Sequence, residues 1–321
     1  MLRVLSRPGI TRSDRVHRSA GNWSRIIVTV LFLTMGVLST PGMAIPAGSD
    51  DNIPTAVRQR LAMEKAARDN PFLLLPHRPN YILPLSYSSD PNEEPFGLEA
   101  GTWDRMEMKF QISLKVLVSE SFMGGGGNLY AAYTNRSWWQ TYNAERSRPF
   151  RETNHEPELF LLYDTSWQVL GMRATSMITG ISHQSNGQGG TLSRSWNRIY
   201  LNLILEKGRV VISLKPWYRI PEQKKSTPDD PGGDDNPDIS HYMGSGEAGL
   251  LYRSGKNSFT LLLRNNFRSD TKGAVELGWS YPLTGKMKGY LQVFDGYGES
   301  LIDYDHRNTR VGAGILLADW L

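Results

Sequence analysis

The feature that most constrains the fold of this chain is an alternation of side-chain character that begins at residue 195. One face of this segment begins with the polar residues Ser195 and Asn197 and is aliphatic from there on, with Ile199, Leu201, Leu203 and Leu205. The other face is mainly charged, polar and aromatic, with one aliphatic member, and it carries Trp196, Arg198, Tyr200, Asn202, Ile204 and Glu206. Alternate residues of a β-strand face opposite sides. The pattern therefore predicts a strand, and a second one follows the turn at 206–209.

An export signal is predicted at the N-terminus. Residues 1–44 contain six arginines and one aspartate, then the largely apolar run Ile26–Leu33, then small residues at Gly42 and Ala44. The apolar run is short for a membrane anchor, because a spanning helix needs about 20 residues. We therefore expect a signal peptide that is cleaved after Ala44. This segment holds the excess positive charge, so the remainder is near neutral and gives no electrostatic reason to bind nucleic acid.

The remainder divides into two segments. Residues 45–104 are polar and proline-rich with one helical candidate at Ala56–Ala67, and we interpret them as a periplasmic segment. Residues 105–321 contain alternating segments of roughly ten residues separated by turn signals, such as Met108–Val118 and Leu129–Trp139.

A soluble β-sandwich and a transmembrane β-barrel would both explain the alternation. The export signal, the aromatic residues at strand ends and the strand-like C-terminus at Val311–Leu321 favour the barrel. We predict an all-β antiparallel transmembrane barrel, with polar faces toward the lumen and aliphatic faces toward lipid. The chain has no cysteine, which excludes disulfides and cysteine metal sites.

A possible catalytic set lies at the start of this alternating region. His183 and Ser185 share a strand face, and a hairpin centred on Gly189 and Gly190 would place Asn197 opposite His183, with Cβ atoms about 5 Å apart. A serine hydroxyl needs a base to become a nucleophile, and His183 could serve as that base. Asn197 could fix the imidazole tautomer. Because asparagine is neutral, a cation or a backbone N–H must help to stabilise the oxyanion.

The position of this set is informative, because Asn197 shares the aliphatic face. Polar groups are costly in lipid, so a polar set on the outer wall makes chemical sense if the substrate is the lipid itself. The alternative is that His183 and Asn197 are ordinary interfacial residues near a loop.

Further motifs occur in a fixed order along the barrel segment. They are SWWQ at 137–140, PFRETN at 149–154, EPELF at 156–160, His183–Gly187, Ser193–Arg198, KPWY at 215–218, DNPDI at 235–239, GYGESLIDY at 296–304 and TRVG at 309–312. In this order, over residues 105–321, they resemble the outer membrane phospholipase A family of Gram-negative bacteria. The chain departs from the family in a longer loop around 221–234 and in its terminal Leu321.

The resemblance implies a twelve-stranded antiparallel barrel that bears a calcium-dependent serine hydrolase site on its exterior. The implied reaction is hydrolysis of acyl esters in phospholipids and lysophospholipids, which comprises phospholipase A1, phospholipase A2 and lysophospholipase activities. The resemblance implies that Ser185 is the nucleophile, His183 the base and Asn197 the orienting residue. It also implies that the amide of Gly187 helps to stabilise the oxyanion.

The resemblance further implies a homodimer in the outer membrane, in which calcium and the acyl-binding cleft are completed between two barrels. The implied calcium ligands are the Ser193 side chain, the Gln188 carbonyl and the carbonyl of Ser147 from the partner. Asn135 is either an interface residue or an ordinary barrel residue.

Two other functions remain open from the sequence. The polar lumen face would also suit a non-enzymatic barrel, either a porin or a structural protein. A soluble secreted esterase would require the aliphatic faces to point inward. The loop 221–240 is rich in Pro, Asp and Gly and is predicted to be solvated, because its aspartates lack the spacing of a known calcium loop.

Overall fold

The computed structural model describes residues 56–66, 74–227, 230, 232–284 and 287–319. The predicted signal peptide at 1–44 lies outside the described residues, and so do Trp320 and Leu321. The helix predicted near residue 56 is present as α1 (Ala56–Ala66).

The described chain is dominated by antiparallel β-structure. Its strands are β1 (Leu75–Pro76), β2 (Asn80–Ser88), β3 (Met106–Ser119), β4 (Asn128–Trp139), β5 (Phe150–Asp164), β6 (Gln168–Val169), β7 (Met172–Ser185), β8 (Ser195–Lys207), β9 (Val210–Ile220), β10 (Gly246–Ser254), β11 (Asn257–Asn265), β12 (Gly273–Thr284), β13 (Met287–Tyr297) and β14 (Arg307–Ala318). A short helix, α2 (Ile239–Met243), precedes β10. Single 3-10 turns lie at Glu94–Phe96, Phe122–Gly124 and Gly190–Leu192. No helix of the described part is long and apolar enough to cross a membrane.

The twelve long strands form one closed sheet. Their order is β3-β2-β14-β13-β12-β11-β10-β9-β8-β7-β5-β4, and pairing of β3 with β4 closes the ring. The short strands β1 and β6 add to β3 and β7 respectively. The predicted all-β antiparallel barrel is confirmed, and so is the strand number implied by the family resemblance.

The two faces of β8 have the predicted environments. Arg198 and Tyr200 are buried in the lumen, whereas the outward side chains of Ile199 and Leu201 are 48% and 41% exposed. An apolar outer wall around a polar interior is the arrangement that a lipid bilayer requires.

The barrel begins earlier than residue 105, because β2 lies inside the segment 45–104. It pairs with β14 on one side and β3 on the other, which corrects the predicted boundary at residue 104. Pro84 argues against a strand in the sequence, because proline cannot donate a backbone hydrogen bond to a neighbouring strand and is confined to edges or bulges. The register of both pairings shifts around Pro84, and Gly314 faces it across the ladder, where a Cβ would lie 2.8 Å from Pro84 Cδ.

The connections differ between the two ends of the barrel. One end carries the longer loops 89–105, 140–149, 186–194, 221–245, 266–272 and 298–306. The other end includes two-residue turns at 208–209 and 255–256. Long loops are extracellular in outer-membrane barrels, so the hairpin loop 186–194 lies at the extracellular end.

Candidate active site

The hairpin β7–β8 brings His183 and Asn197 together in the predicted register. The two residues are direct cross-strand partners, and His183 Nδ1 lies 2.9 Å from Asn197 Oδ1. An amide oxygen can only accept, so Nδ1 carries the ring proton and Nε2 keeps its lone pair. This is the tautomer that a general base requires.

The amide orientation of Asn197 is fixed by a residue that sequence reasoning missed. Asn197 Nδ2 donates to Glu222 Oε1 at 2.8 Å. Because a carboxylate only accepts, the nitrogen of the amide must face Glu222 and the oxygen must face His183. Glu222 shares the outward parity of Tyr218 and Ile220, which is the sequence signal that could have indicated it.

Ser185 lies on the same outward face and is partly buried between two strands. It pairs with Ser195 of β8 and with His155 of β5. The ring of His155 is held through Nδ1 by the hydroxyl of Tyr133 at 2.6 Å. Ser185 therefore has a histidine on each side, one two residues earlier on β7 and one across the ladder on β5.

Among the described residues, the Ser185 hydroxyl makes no hydrogen bond to either histidine. Catalytic hydrogen bonds of this kind often tighten only when substrate is bound, so both histidines are candidate bases. His183 differs from His155 in its hydrogen bond to the side-chain amide of Asn197, which sets the tautomer of the His183 imidazole. Sequence reasoning missed His155, which becomes a neighbour of Ser185 only through the pairing of β5 with β7.

The loop after Ser185 is organised by Asn186, another residue that sequence reasoning missed. The buried Asn186 side chain accepts from the backbone N–H of Arg194 at 2.9 Å and donates to the carbonyl of Leu192 at 2.9 Å. Gly187 has φ +66, a left-handed conformation that favours glycine. A Cβ at Gly187 would lie 3.7 Å from the ring of His155, so the Gly187 backbone lies close to the cross-strand partner of Ser185.

The candidate calcium ligands do not all converge within one chain. Ser193 Oγ donates to Asp235 Oδ2 at 2.9 Å, and Ser195 Oγ donates to the same oxygen at 3.1 Å. Lys225 Nζ lies 2.5 Å from the other carboxylate oxygen of Asp235. Gln188 is exposed in the same loop as Ser193.

Ser147 belongs to a different loop, 140–149, and its φ is +57. No hydrogen bond of the described chain joins it to Ser193 or Gln188. In the part of the chain that the structure describes, no three His, Asp or Glu side chains form a metal cluster. A metal at Ser193 would therefore depend on hydroxyl and backbone oxygens together with the nearby Asp235 carboxylate, which is a donor set that suits calcium.

The described residues 232–238 of the loop predicted to be solvated make several contacts with the barrel. Asn236 is fully buried, and its side-chain oxygen accepts from the backbone N–H of Ser195 at 3.1 Å. Arg219 pairs with Asp234 and donates to the carbonyl of Pro237 at 2.9 Å. The loop therefore folds back against the β7–β8 hairpin.

A closed antiparallel barrel with an apolar outer wall, and with a serine, histidine and asparagine on that wall near the extracellular end, belongs to the class of outer-membrane barrel hydrolases. The family model described as "Phospholipase A1" matches residues 57–317, and the chain belongs to this family.

Curated relatives agree over most of their length. Phospholipase A1 of Klebsiella pneumoniae is 41% identical over 255 residues, which cover 78% of this chain and 84% of that protein. Phospholipase A1 of Escherichia coli strain K12 is 40% identical over 255 residues, which cover 78% of this chain and 83% of that protein.

Two solved structures have the same fold. Outer membrane phospholipase A from Escherichia coli matches with a TM-score of 0.71 and 39% identity, covering 78% of this chain and 100% of that one. The Salmonella typhi outer membrane phospholipase, a dimer with bound calcium, matches with a TM-score of 0.71 and 40% identity, covering 78% and 94%. The predicted family and outer-membrane location are thereby confirmed, and this chain is a phospholipase. The porin or structural-barrel interpretation and the soluble-esterase interpretation are wrong.

Proposed function

We propose that this phospholipase is calcium-dependent and active as a homodimer, and that it hydrolyses acyl esters of phospholipids and lysophospholipids with Ser185, His183 and Asn197. The observation that carries the proposal is the 2.9 Å contact between His183 Nδ1 and Asn197 Oδ1, on the same outward face as Ser185. The substrate range comprises the phospholipase A1, phospholipase A2 and lysophospholipase reactions.

Each side chain has a role in the proposed reaction. His183 Nε2 takes the proton of Ser185 as its Oγ attacks the ester carbonyl carbon. The tetrahedral intermediate collapses when His183 returns that proton to the leaving alkoxide, which departs as a lysophospholipid or a deacylated glycerophosphodiester. Water then attacks the acyl-enzyme, with His183 again as base, and releases the fatty acid. Asn197 holds the imidazole in one tautomer throughout.

The surroundings of Ser185 suit an acyl chain. Ile181 and Ile199 face outward next to the catalytic set, and their side chains are 52% and 48% exposed. Leu159 of the neighbouring strand is 43% exposed on the same wall. A lipid in the outer leaflet can therefore present its ester to Ser185 while its acyl chain stays in an apolar environment.

Calcium fits the oxygen-rich region around Ser193. The Ser193 hydroxyl, the Gln188 carbonyl and the Ser147 carbonyl of the partner subunit would hold the ion in the homodimer. Asp235, which accepts from Ser193 Oγ and is paired with Lys225, would add a carboxylate oxygen to these neutral donors. Bound calcium would supply positive charge that helps to stabilise the oxyanion, together with the Gly187 amide. The calcium-bound dimer of the Salmonella typhi relative supports both the ion and the assembly.

The test is a Ser185→Ala variant assayed for fatty-acid release from mixed micelles with 2-acyl and 1-acyl labelled phospholipids and with lysophospholipid. We expect a loss of at least about 10³-fold for each substrate, because the nucleophile is removed. Thr179→Val is the matched control, since it removes a hydroxyl from the same strand and the same outward face. Parent-level turnover by a folded Ser185→Ala protein would contradict the proposal.

The calcium and dimer assignments are tested separately. We expect EDTA to abolish activity and calcium to restore it, whereas magnesium should not, because it demands stricter octahedral geometry. Sedimentation in detergent should show calcium shifting the protein from monomer to dimer. Full activity in excess EDTA, or calcium-stimulated activity in a strictly monomeric sample, would overturn the corresponding assignment.

A further inference from the structure

Glu222 is the residue that the proposed mechanism does not yet use. It follows the end of β9 by two residues, and Ile220, the last residue of that strand, is the cross-strand partner of Asn197. This extension of β9 brings the Glu222 carboxylate to the outer side of the hairpin. There it accepts the 2.8 Å hydrogen bond from Asn197 Nδ2.

We propose that Glu222 is a positioning residue that acts on His183 through Asn197, so that Glu222, Asn197 and His183 form one hydrogen-bonded relay. The inference rests on the proposed function, since it assumes that His183 is the base. It gives a role to the beginning of the loop 221–245.

Orientation is the first part of this role. A side-chain amide has an oxygen and a nitrogen of nearly equal size, so Asn197 alone could present either to His183. If the nitrogen faced the imidazole, it would donate to Nδ1 and place the ring proton on Nε2, where it would block proton uptake from Ser185. The acceptor-only carboxylate of Glu222 excludes that orientation.

Charge is the second part. An asparagine cannot offset the positive charge that His183 acquires when it takes the proton of Ser185. A hydrogen bond to a carboxylate polarises the Asn197 amide and makes Oδ1 a stronger acceptor. Within the described chain, no lysine or arginine forms an ion pair with Glu222, so its negative charge is not neutralised by such a partner.

A purely structural role, as an anchor for the loop, is already filled by other contacts. Arg219 pairs with Asp234 and binds the Pro237 carbonyl, while Asn236 binds the backbone of Ser195. These contacts hold the loop against the hairpin without Glu222. The bond to Asn197 is the one side-chain hydrogen bond of Glu222 within the described residues.

The test is a double-mutant cycle of Glu222→Ala and Asn197→Ala, measured in the calcium-loaded full-length enzyme. We expect Glu222→Ala alone to lower kcat about tenfold with little change in KM, because a hydrogen bond to a charged group is lost. In the Asn197→Ala background, the same change should have no further effect. Glu222→Gln should recover part of the loss, since its amide oxygen can still accept from Asn197.

A second readout is the rate at which a fluorophosphonate labels Ser185, which reports nucleophile activation without turnover. This rate should fall with Glu222→Ala in the same proportion as kcat. Gln223→Ala is the matched control, because Gln223 is the exposed neighbour on the same loop and its interaction with Asp234 uses only its backbone carbonyl. Circular dichroism and thermal unfolding should show that all variants remain folded.

The possible failures are distinguishable. If Asn197→Ala leaves kcat and labelling unchanged, the proposed triad is wrong and the Glu222 inference falls with it. If Asn197→Ala is impaired while Glu222→Ala equals the parent, or if the two losses multiply, the triad stands and the relay through Glu222 is wrong.

Discussion

Two groups of polar residues lie at the extracellular end of the barrel, one inside the lumen and one on the outer wall. The mouth cluster, inside, consists of six charged residues that are at most 3% exposed: Glu107, Lys109, Arg151, Glu299, Asp303 and Arg310. Each is joined to an opposite charge, as in the 2.7 Å contact of Arg310 Nε with Glu299. The outer group of Ser185, His183 and Asn197 is more exposed, and a hydrogen bond joins His183 to Asn197 without an ion pair.

The difference shows how a structural polar group and a functional one can be told apart in a membrane barrel. The buried charges of the mouth cluster are each compensated by an opposite charge, and removing a single partner leaves an expensive unpaired charge. The outer residues have no comparable stabilisation from ion pairs, and polar groups are disfavoured beside lipid. Under the proposed function, the reaction accounts for their place on the outer wall. Substitutions in the outer group should therefore lower activity, whereas substitutions in the mouth cluster should lower stability.

The largest expected effect separates the two histidines that flank Ser185. We expect His183→Ala to lower kcat about 10⁴-fold, as loss of a triad base does, and His155→Ala to lower it less than about tenfold. The reason is that His183 is oriented by Asn197, whereas His155 is bound by the Tyr133 hydroxyl. Stopped assays of fatty-acid release measure both variants.

Thermal unfolding provides the control, because each variant should keep most of the parent's stability. Equal losses in the two variants would mean that His155 shares the role of base, and a larger loss in His155→Ala would reverse the assignment.

The next effect concerns stability inside the mouth cluster. Arg310 pairs with Glu299 and Glu107, so Arg310→Met should destabilise the barrel by about 3–5 kcal/mol by leaving two buried carboxylates short of a partner. Arg307→Met is the matched control on the same strand. Its partner Asp295 and Arg307 itself are 23% and 35% exposed, so the cost should stay below about 1 kcal/mol.

Equilibrium unfolding in urea measures both variants, and the specific activity of the folded fraction should match the parent in each. If Arg310→Met instead proved as stable as Arg307→Met, the mouth cluster would not be a structural element.

The sequence predicted the hairpin well and other parts less well, for identifiable reasons. The pairing of His183 with Asn197 followed from strand alternation and a glycine turn, which are local signals. β2 was missed because Pro84 interrupts its alternation and a bulge is needed to accommodate it. His155 was missed because its proximity to the site depends on the pairing of β5 with β7, which leaves no local pattern. Glu222 was missed because it lies beyond the end of β9, where its outward parity with Ile220 is a weak signal.

The smallest effect is a dependence of stability on pH, and it arises from two carboxyls in the loop 298–306. Burial opposes ionisation of Glu299 and Asp303, but the attraction of Arg310 and Lys109 lowers the pKa of Glu299, and Arg151 lowers the pKa of Asp303. A carboxyl whose pKa is lower in the folded state stabilises the fold above its unfolded pKa, about 4.3 for Glu and 3.9 for Asp, and this contribution is lost as the pH falls. We therefore expect the free energy of unfolding to be insensitive to these two groups above about pH 5 and to decline below about pH 4.

Glu299→Gln should flatten part of that decline, measured by urea unfolding between pH 3 and 6, while the hydrolysis rate of the folded enzyme at neutral pH stays near the parent. A decline of the same steepness in Glu299→Gln would show that the acid sensitivity originates outside the mouth cluster, and a loss of hydrolysis at neutral pH would show that the lumen and the outer wall are coupled.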